Sequence, residues 1–135
     1  MHAQVVGRTI RSWVEWCRVI REDGLQRATK LIERECSAAT PGFIGLVVLV
    51  EIVWVSESCY GATREEVSEI LRRLLSIKQL VVQDAEIAWR ALRSFEAGKA
   101  DFADCLIERM ARAAGCEHVV TFDKQASKAG MALLK

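Results

Sequence analysis

The sequence predicts an α/β fold in which a parallel sheet is covered on its faces by helices. Three observations carry that prediction. Short β-prone runs alternate with amphipathic helical segments, the pattern of strands joined by helical crossovers. The stretch Phe43 to Val55 is almost unbroken apolar sequence with Glu51 as its only charge, as expected of elements at the centre of a core. Composition agrees: 51% of the residues are apolar and 27% charged, with one proline, which is the profile of a folded chain. The 135 residues suffice to enclose one core, so a single domain over 1–135 is expected, with 1–21 as an atypical N-terminal segment.

Taken in order, Leu25, Ala28, Leu31, Ile32 and Cys36 recur at helical spacing with charged residues between them. Thr40-Pro41-Gly42 breaks that helix, and Phe43 to Val55 reads as a short strand leading into a buried helix. Thr63 with Glu66 three residues on is an N-terminal capping pair, and Val67, Ile70, Leu71, Leu74 and Leu75 form the apolar face that follows. Leu80-Val81-Val82 is β-prone. Asp84 can cap the next helix, which turns Ile87, Ala88, Ala91, Leu92 and Phe95 inward and ends at Gly98. A further helix starts near Asp101, buries Phe102, Leu106, Met110 and Ala113, and stops at Gly115. His118 to Phe122 then reads as a strand, with a short helix and tail behind it.

A formal net charge of +1 neither demands nor excludes a nucleic-acid partner, which a local basic patch could still grip. The five cysteines are odd in number, lack C-x-x-C spacing and mostly sit among apolar residues, where a thiol packs as a small hydrophobe; a reducing cytoplasm fits. Residues 1–20 lack the compact apolar stretch of a secretory signal, so no export is expected. A membrane helix needs about 20 apolar residues, and the run around Glu51 is too short to be one.

Four acids are candidates for chemistry. Glu51 stands in an apolar element, where an ionised carboxylate needs a cation or hydrogen-bond donors opposite it; a salt bridge at the core rim and a metal or catalytic role both satisfy that need. Asp101 and Asp104 lie three apart, so a helix brings them to one face about a turn apart. The same pair also suits an N-cap and first helical turn, the commoner use of such spacing. Asp123 follows the strand Val119 to Phe122, where parallel sheets collect ligands, but a strand-Asp-helix junction equally invites a cap. In combination, clustered carboxylates repel one another and persist most readily around Mg²⁺ or Mn²⁺, hard cations that take oxygen ligands and can promote attack on a phosphodiester.

Other chemistries are weaker candidates. His2 and His118 have no second histidine at ligand spacing, so zinc is not expected. There is no G-x-S-x-G elbow, P-loop or G-x-G-x-x-G fingerprint. Trp13, Trp16, Trp54 and Trp89 could stack on bases, but packing or a protein interface is the commoner use of tryptophan.

The segments PGFIGLVVLVEIVWV around Glu51 and ADFADCLIERMARAAGCEHVVTFD from Ala100 to Asp123, with a helical insert between them, resemble the PIN-domain family, specifically the VapC-like toxins of type II toxin-antitoxin pairs. The resemblance runs from about Glu22 to the C-terminus. It implies a PIN-like three-layer α/β sandwich with a central parallel sheet flanked by helices. It also implies Mg²⁺ or Mn²⁺ held by Glu51, Asp101, Asp104 and Asp123, with Glu51, Asp104 and Asp123 catalytic, Asp101 supporting and Thr121 behind them. The expected reaction is hydrolysis of RNA phosphodiesters in the cytoplasm by a homodimer that a VapB-like antitoxin silences.

The departure from the family lies at the N-terminus, where a strand and an Asp-x-Asn signature supply the first metal acid. Here the expected aspartate falls near Arg11, and the only earlier acid before Glu22 is Glu15, which does not align. Losing one acid weakens the charge balance around the metal, and an arginine would oppose it. Two explanations stand: a segment translated in a shifted frame, or a degenerate member that keeps antitoxin binding but cleaves poorly, with Val5-Val6 or Val19-Ile20 as substitute strand.

Overall fold

The computed structural model describes residues 42–134, together with positions 22, 24, 26, 30 and 34. Gln26, Lys30 and Arg34, spaced by one helical turn, are helical and exposed, as the polar side of the expected 25–36 helix requires. The apolar side of that helix, the Thr40-Pro41 break, the Val5-Val6 and Val19-Ile20 segments, Arg11, Glu15, His2, Trp13, Trp16, Cys17 and Cys36 lie outside the described residues. The chain divides into two compact units, 1–83 and 84–135.

In the first unit, β1 (Gly42–Ile44) leads through Gly45 into α1 (Leu46–Tyr60), followed by α2 (Arg64–Ser76) and β2 (Leu80–Val82). Gly42 is therefore the first strand residue and not part of the break. β1 and β2 pair in parallel, Gly42 opposite Leu80 and Ile44 opposite Val82, joined by the helical crossover. α1 is apolar almost all round and buries Leu46, Leu49, Ile52, Val53 and Val55, while Val47 and Trp54 on another side are 76% and 62% exposed. Gly61 ends it at φ 62, a left-handed conformation that glycine adopts without Cβ strain. α2 begins with a complete capping box: Thr63 Oγ1 accepts from the Glu66 N–H at 3.2 Å, and Glu66 Oε1 accepts from the Thr63 N–H at 3.0 Å. Val67, Ile70, Leu71 and Leu74 are buried as predicted, and Leu75 is half-buried.

The strand-to-helix junction is held by a residue far along the chain. Gln83 donates its backbone N–H to the Ile44 carbonyl at 2.8 Å, extending the β1–β2 ladder, and its side-chain Oε1 accepts from the Leu46 N–H at 3.0 Å. It thereby satisfies one of the unpaired donors at the start of α1, which has no side-chain cap of its own. Gly45 leaves room for this: a Cβ there would come within 3.3 Å of Gln83 Oε1.

The second unit contains α3 (Ala85–Ala97), α4 (Phe102–Ala113), β3 (Val120–Thr121), α5 (Lys124–Ser127) and β4 (Ala132–Leu133). α3 and α4 pack on each other through Ala88, Ala91, Leu92 and Phe95 on one side and Phe102, Cys105 and Leu106 on the other, all buried. Phe95 and Phe102 meet edge to face with centroids 6.2 Å apart. β3 and β4 pair in parallel around the four-residue α5, and Ala126 and Met131 are buried.

Several expectations are corrected. The single central sheet appears, among the described residues, as two separate two-stranded parallel pieces. The strand expected over His118–Phe122 is only Val120–Thr121, because Val120 and Phe122 are 56% and 78% exposed and give that run no buried face. Met110 is 43% exposed and Ala113 exposed; Cys105 and Glu108 take their places on the buried side of α4. Ile87 is only half-buried. Asp84 occupies the cap position of α3 at φ 46, but its side chain accepts no capping hydrogen bond. Of the described cysteines Cys105 is buried, whereas Cys59 and Cys116 are exposed. Among the described residues no helix is long and apolar enough to cross a membrane.

Candidate active site

Asp101, Asp104 and Asp123 all belong to the second unit, and local sequence accounts for the place of each. Asp101 ends the extended backbone before α4 and stands at its cap position, where its carbonyl accepts from the Cys105 N–H at 3.0 Å. Its side chain makes no capping hydrogen bond, so the capping role that its spacing suggests is not the one observed. Asp104 lies in the first turn of α4 and is half-buried beside the buried Phe102 and Cys105. Asp123 follows β3 and does cap: its Oδ1 accepts from the Gln125 N–H at 2.8 Å at the start of α5. Thr121 Oγ1 in turn accepts from the Asp123 N–H at 3.0 Å, which ties the acid to the end of the strand.

Electrostatics show which acids sense one another. The Asp104 carboxyl is pushed above its ordinary range, first by burial, then by the charge of Asp101, then by that of Asp123. An acid in the first turn of a helix is favoured by the helix dipole. At Asp104 that help is outweighed by burial first, with the charges of Asp101 and Asp123 adding to it. The donor set, carboxylate oxygens only, suits a hard divalent cation. Among the described residues, however, no group of three or more acids, histidines or cysteines stands close enough to hold a metal ion.

Glu51 is part of the other unit. It lies in the second turn of α1 and is half-buried, so it is not the fully desolvated charge that the apolar run suggests. The helix carries polar Ser56, Glu57 and Ser58 one to two turns further on. His118 is exposed, Trp89 half-buried and Trp54 exposed.

Sequence reasoning missed a set of arginines on α3 and α4. Arg90 pairs with Glu86 at 2.8 Å, and Arg112 Nε donates to Oε1 of Glu108, a carboxylate 3% exposed as a residue. Both are Glu-to-Arg pairs at i,i+4, a spacing legible in the sequence as helix-face ion pairs.

Compared with known families, residues 13–131 match the one described as PIN domain, continuously across the division between residues 83 and 84. No match emerges among curated proteins or among solved structures.

Proposed function

The chain belongs to the PIN domain family, a family of nucleases that are typically metal-dependent, and from that premise we propose that it is an endoribonuclease toxin of the VapC-like type, held silent by a VapB-like antitoxin. The observation that supports the reading most is the raised carboxyl of Asp104, pushed up first by burial and then by the charges of Asp101 and Asp123. A structural cap or a surface ion pair would lower an aspartate, not raise it. Perturbed carboxyls with like charges near them cluster at functional sites, cation sites among them.

In this reading Asp104 and Asp123 would hold Mg²⁺ or Mn²⁺ with Asp101 in support, and Glu51 is assigned as the second acid of the family order by its sequence position alone. The chemistry a cation held by these acids would supply is activation of a water and neutralisation of charge at the phosphodiester. Thr121 orients Asp123 through the peptide N–H, and the half-buried setting of Asp104 raises its carboxyl, a cost that a cation there would offset. The whole chain is read as one PIN-like domain, acting in the cytoplasm as a homodimer with RNA as substrate.

A second reading has its own support. The family's first acid is expected near Arg11, ahead of the matched residues 13–131, where the sequence offers no aspartate, and the described acids do not close into a metal cage. A catalytically impaired PIN-like protein that binds an antitoxin would carry both features. Cleavage of a mixed RNA pool in Mg²⁺ or Mn²⁺, beside EDTA and an Asp104→Asn variant, separates the two. Metal-dependent cleavage lost in the variant supports the nuclease; intact antitoxin binding with no cleavage supports the second reading.

A further inference from the structure

Away from the acids, the second unit holds a concentration of positive charge that the reaction above does not use. A cavity of about 440 Å³ is lined by Glu86, Ile87 and Arg90 of α3 and by Arg109, Arg112 and Ala113 of α4. Its three guanidiniums face two carboxylates of different kinds. Glu86 is exposed, and its pair with the equally exposed Arg90 is of the sort that contributes little and exchanges readily with solvent. Glu108 is buried and sets the heads of its neighbours: Arg112 Nε donates to it, and Arg109 Nε lies 3.9 Å from its other oxygen. Arg109 is further held by Ser94 Oγ, which accepts from its Nε at 3.2 Å and its Nη2 at 3.0 Å.

These bonds position the guanidiniums without exhausting them. Each has five N–H donors in a planar fork. Among the described residues the bonds engage Nε of Arg112, Nε and Nη2 of Arg109, and Nη2 of Arg90. The remaining donors suit the geometry and charge of phosphate oxygens. Asp104 and Arg112 are eight residues apart on α4, about 12 Å at the helical rise, so an anion at the arginines is distinct from one reacting at the acids.

We propose that this cavity binds phosphate groups of an RNA strand's backbone, flanking the phosphodiester that is cleaved. The inference rests on the nuclease reading for the identity of the strand and adds where its backbone is held. Its chemistry is non-sequence-specific and salt-sensitive, as binding to phosphates is.

The test measures binding of a fluorescein-labelled RNA oligonucleotide to the full chain in EDTA, so that neither metal nor cleavage contributes. Wild type is compared with Arg90→Ala, Arg90→Glu and Asp104→Asn, with inorganic phosphate as competitor. Arg90 is the choice because it is exposed and paired with an exposed Glu86, so its replacement spares the core. The expected result is about tenfold weaker binding for Arg90→Glu at low salt, a smaller loss for Arg90→Ala, and a log-log salt slope shallower by about 0.7 for each phosphate that is no longer neutralised. Asp104→Asn binds at least as tightly as wild type. Equal binding by wild type and Arg90→Glu overturns the proposal, as does absence of RNA binding by wild type. Binding of inorganic phosphate with no RNA binding would assign the cavity to a free phosphate instead. Arginine-dependent RNA binding without cleavage in metal would remove the nuclease reading and leave this site standing.

Discussion

The side-chain oxygen of Thr121 accepts a hydrogen bond from the backbone N–H of Asp123 at 3.0 Å, so the last residue of β3 holds the peptide that carries the acid. Asp123 Oδ1 is at the same time engaged by the Gln125 N–H. Together the two bonds fix the acid at the head of α5, and each is open to substitution.

Thr121→Val keeps the β-branched shape but removes the acceptor. If Asp123 holds a metal, removing this supporting hydrogen bond lowers metal affinity or metal-dependent cleavage by about tenfold, the scale seen when partners behind a ligand are removed. Thr121→Ser restores it. Titration of Mn²⁺ against the three proteins checks the order; equal affinity for Val and Thr at position 121 would separate Thr121 from the site.

Asp104 makes stability pH-dependent in a defined direction. Its carboxyl is raised in the folded state above its ordinary value of 3.8. Between those two values the folded state keeps a proton that the unfolded state has released, so stability falls as pH rises through the window and the full penalty persists above it. Asp104→Asn, which cannot ionise, therefore melts at a higher temperature than wild type at neutral pH. The difference disappears once the pH is below the ordinary aspartate value. If Asp104 holds the metal, Mg²⁺ stabilises wild type more than the variant. Thermal unfolding across pH, with and without Mg²⁺, reads both effects, and a neutral-pH melting point lowered by the substitution would contradict them.

Gln83→Ala leaves the Leu46 N–H at the start of α1 without its acceptor. The expected cost is about 1 kcal/mol, comparable to removal of a helix cap. Thr63→Ala, which opens the capping box of α2, costs a similar amount. Urea midpoints of the two single variants give both values. A neutral Gln83→Ala would mean that water replaces the amide at that junction.

Arg112→Ala deprives the buried Glu108 of its hydrogen-bonded partner and leaves it only Arg109, 3.9 Å away. Leaving a buried charge short of a charged hydrogen bond costs about 1–3 kcal/mol. Glu108→Gln costs less, because the amide oxygen still accepts from Arg112 and no charge remains buried. The comparison by urea unfolding distinguishes a structural use of this pair from a decorative one: equal, negligible effects would show that solvent already satisfies Glu108.

Much of the local structure was legible in the chain. The capping box at Thr63 and Glu66, the apolar face from Val67 to Leu74, the strand at Leu80–Val82, the strand-to-helix passage after Gly42 and the end of α3 at Gly98 all follow from side chains a few residues apart. What depended on distance in space was read less well. Met110 and Ala113 continue the helical period of Phe102 and Leu106, yet they are exposed, because periodicity reports which residues share a face and not how far a neighbour covers that face. Gln83 gave no signal as a cap, since it acts on a helix 37 residues before it. The arginines of α3 and α4 were visible as ion-pair spacing, but not as the lining of one cavity.

By itself the sequence determined which elements form, which four acids are candidates and which family they resemble, because caps, turns and amphipathic periods are written in neighbouring residues. Only the tertiary structure decided which of the aspartates cap a helix and which do not. Asp101, Asp104, Asp123 and Asp84 share the same local context, an aspartate at or near a helix start, in which capping and cation binding call for the same residue. In the fold Asp123 caps, Asp84 and Asp101 accept no cap bond, and Asp104 is raised by burial first and then by two other acids. Burial and the charge of Asp123 arise from parts of the chain distant from Asp104 in sequence, and no local pattern encodes them.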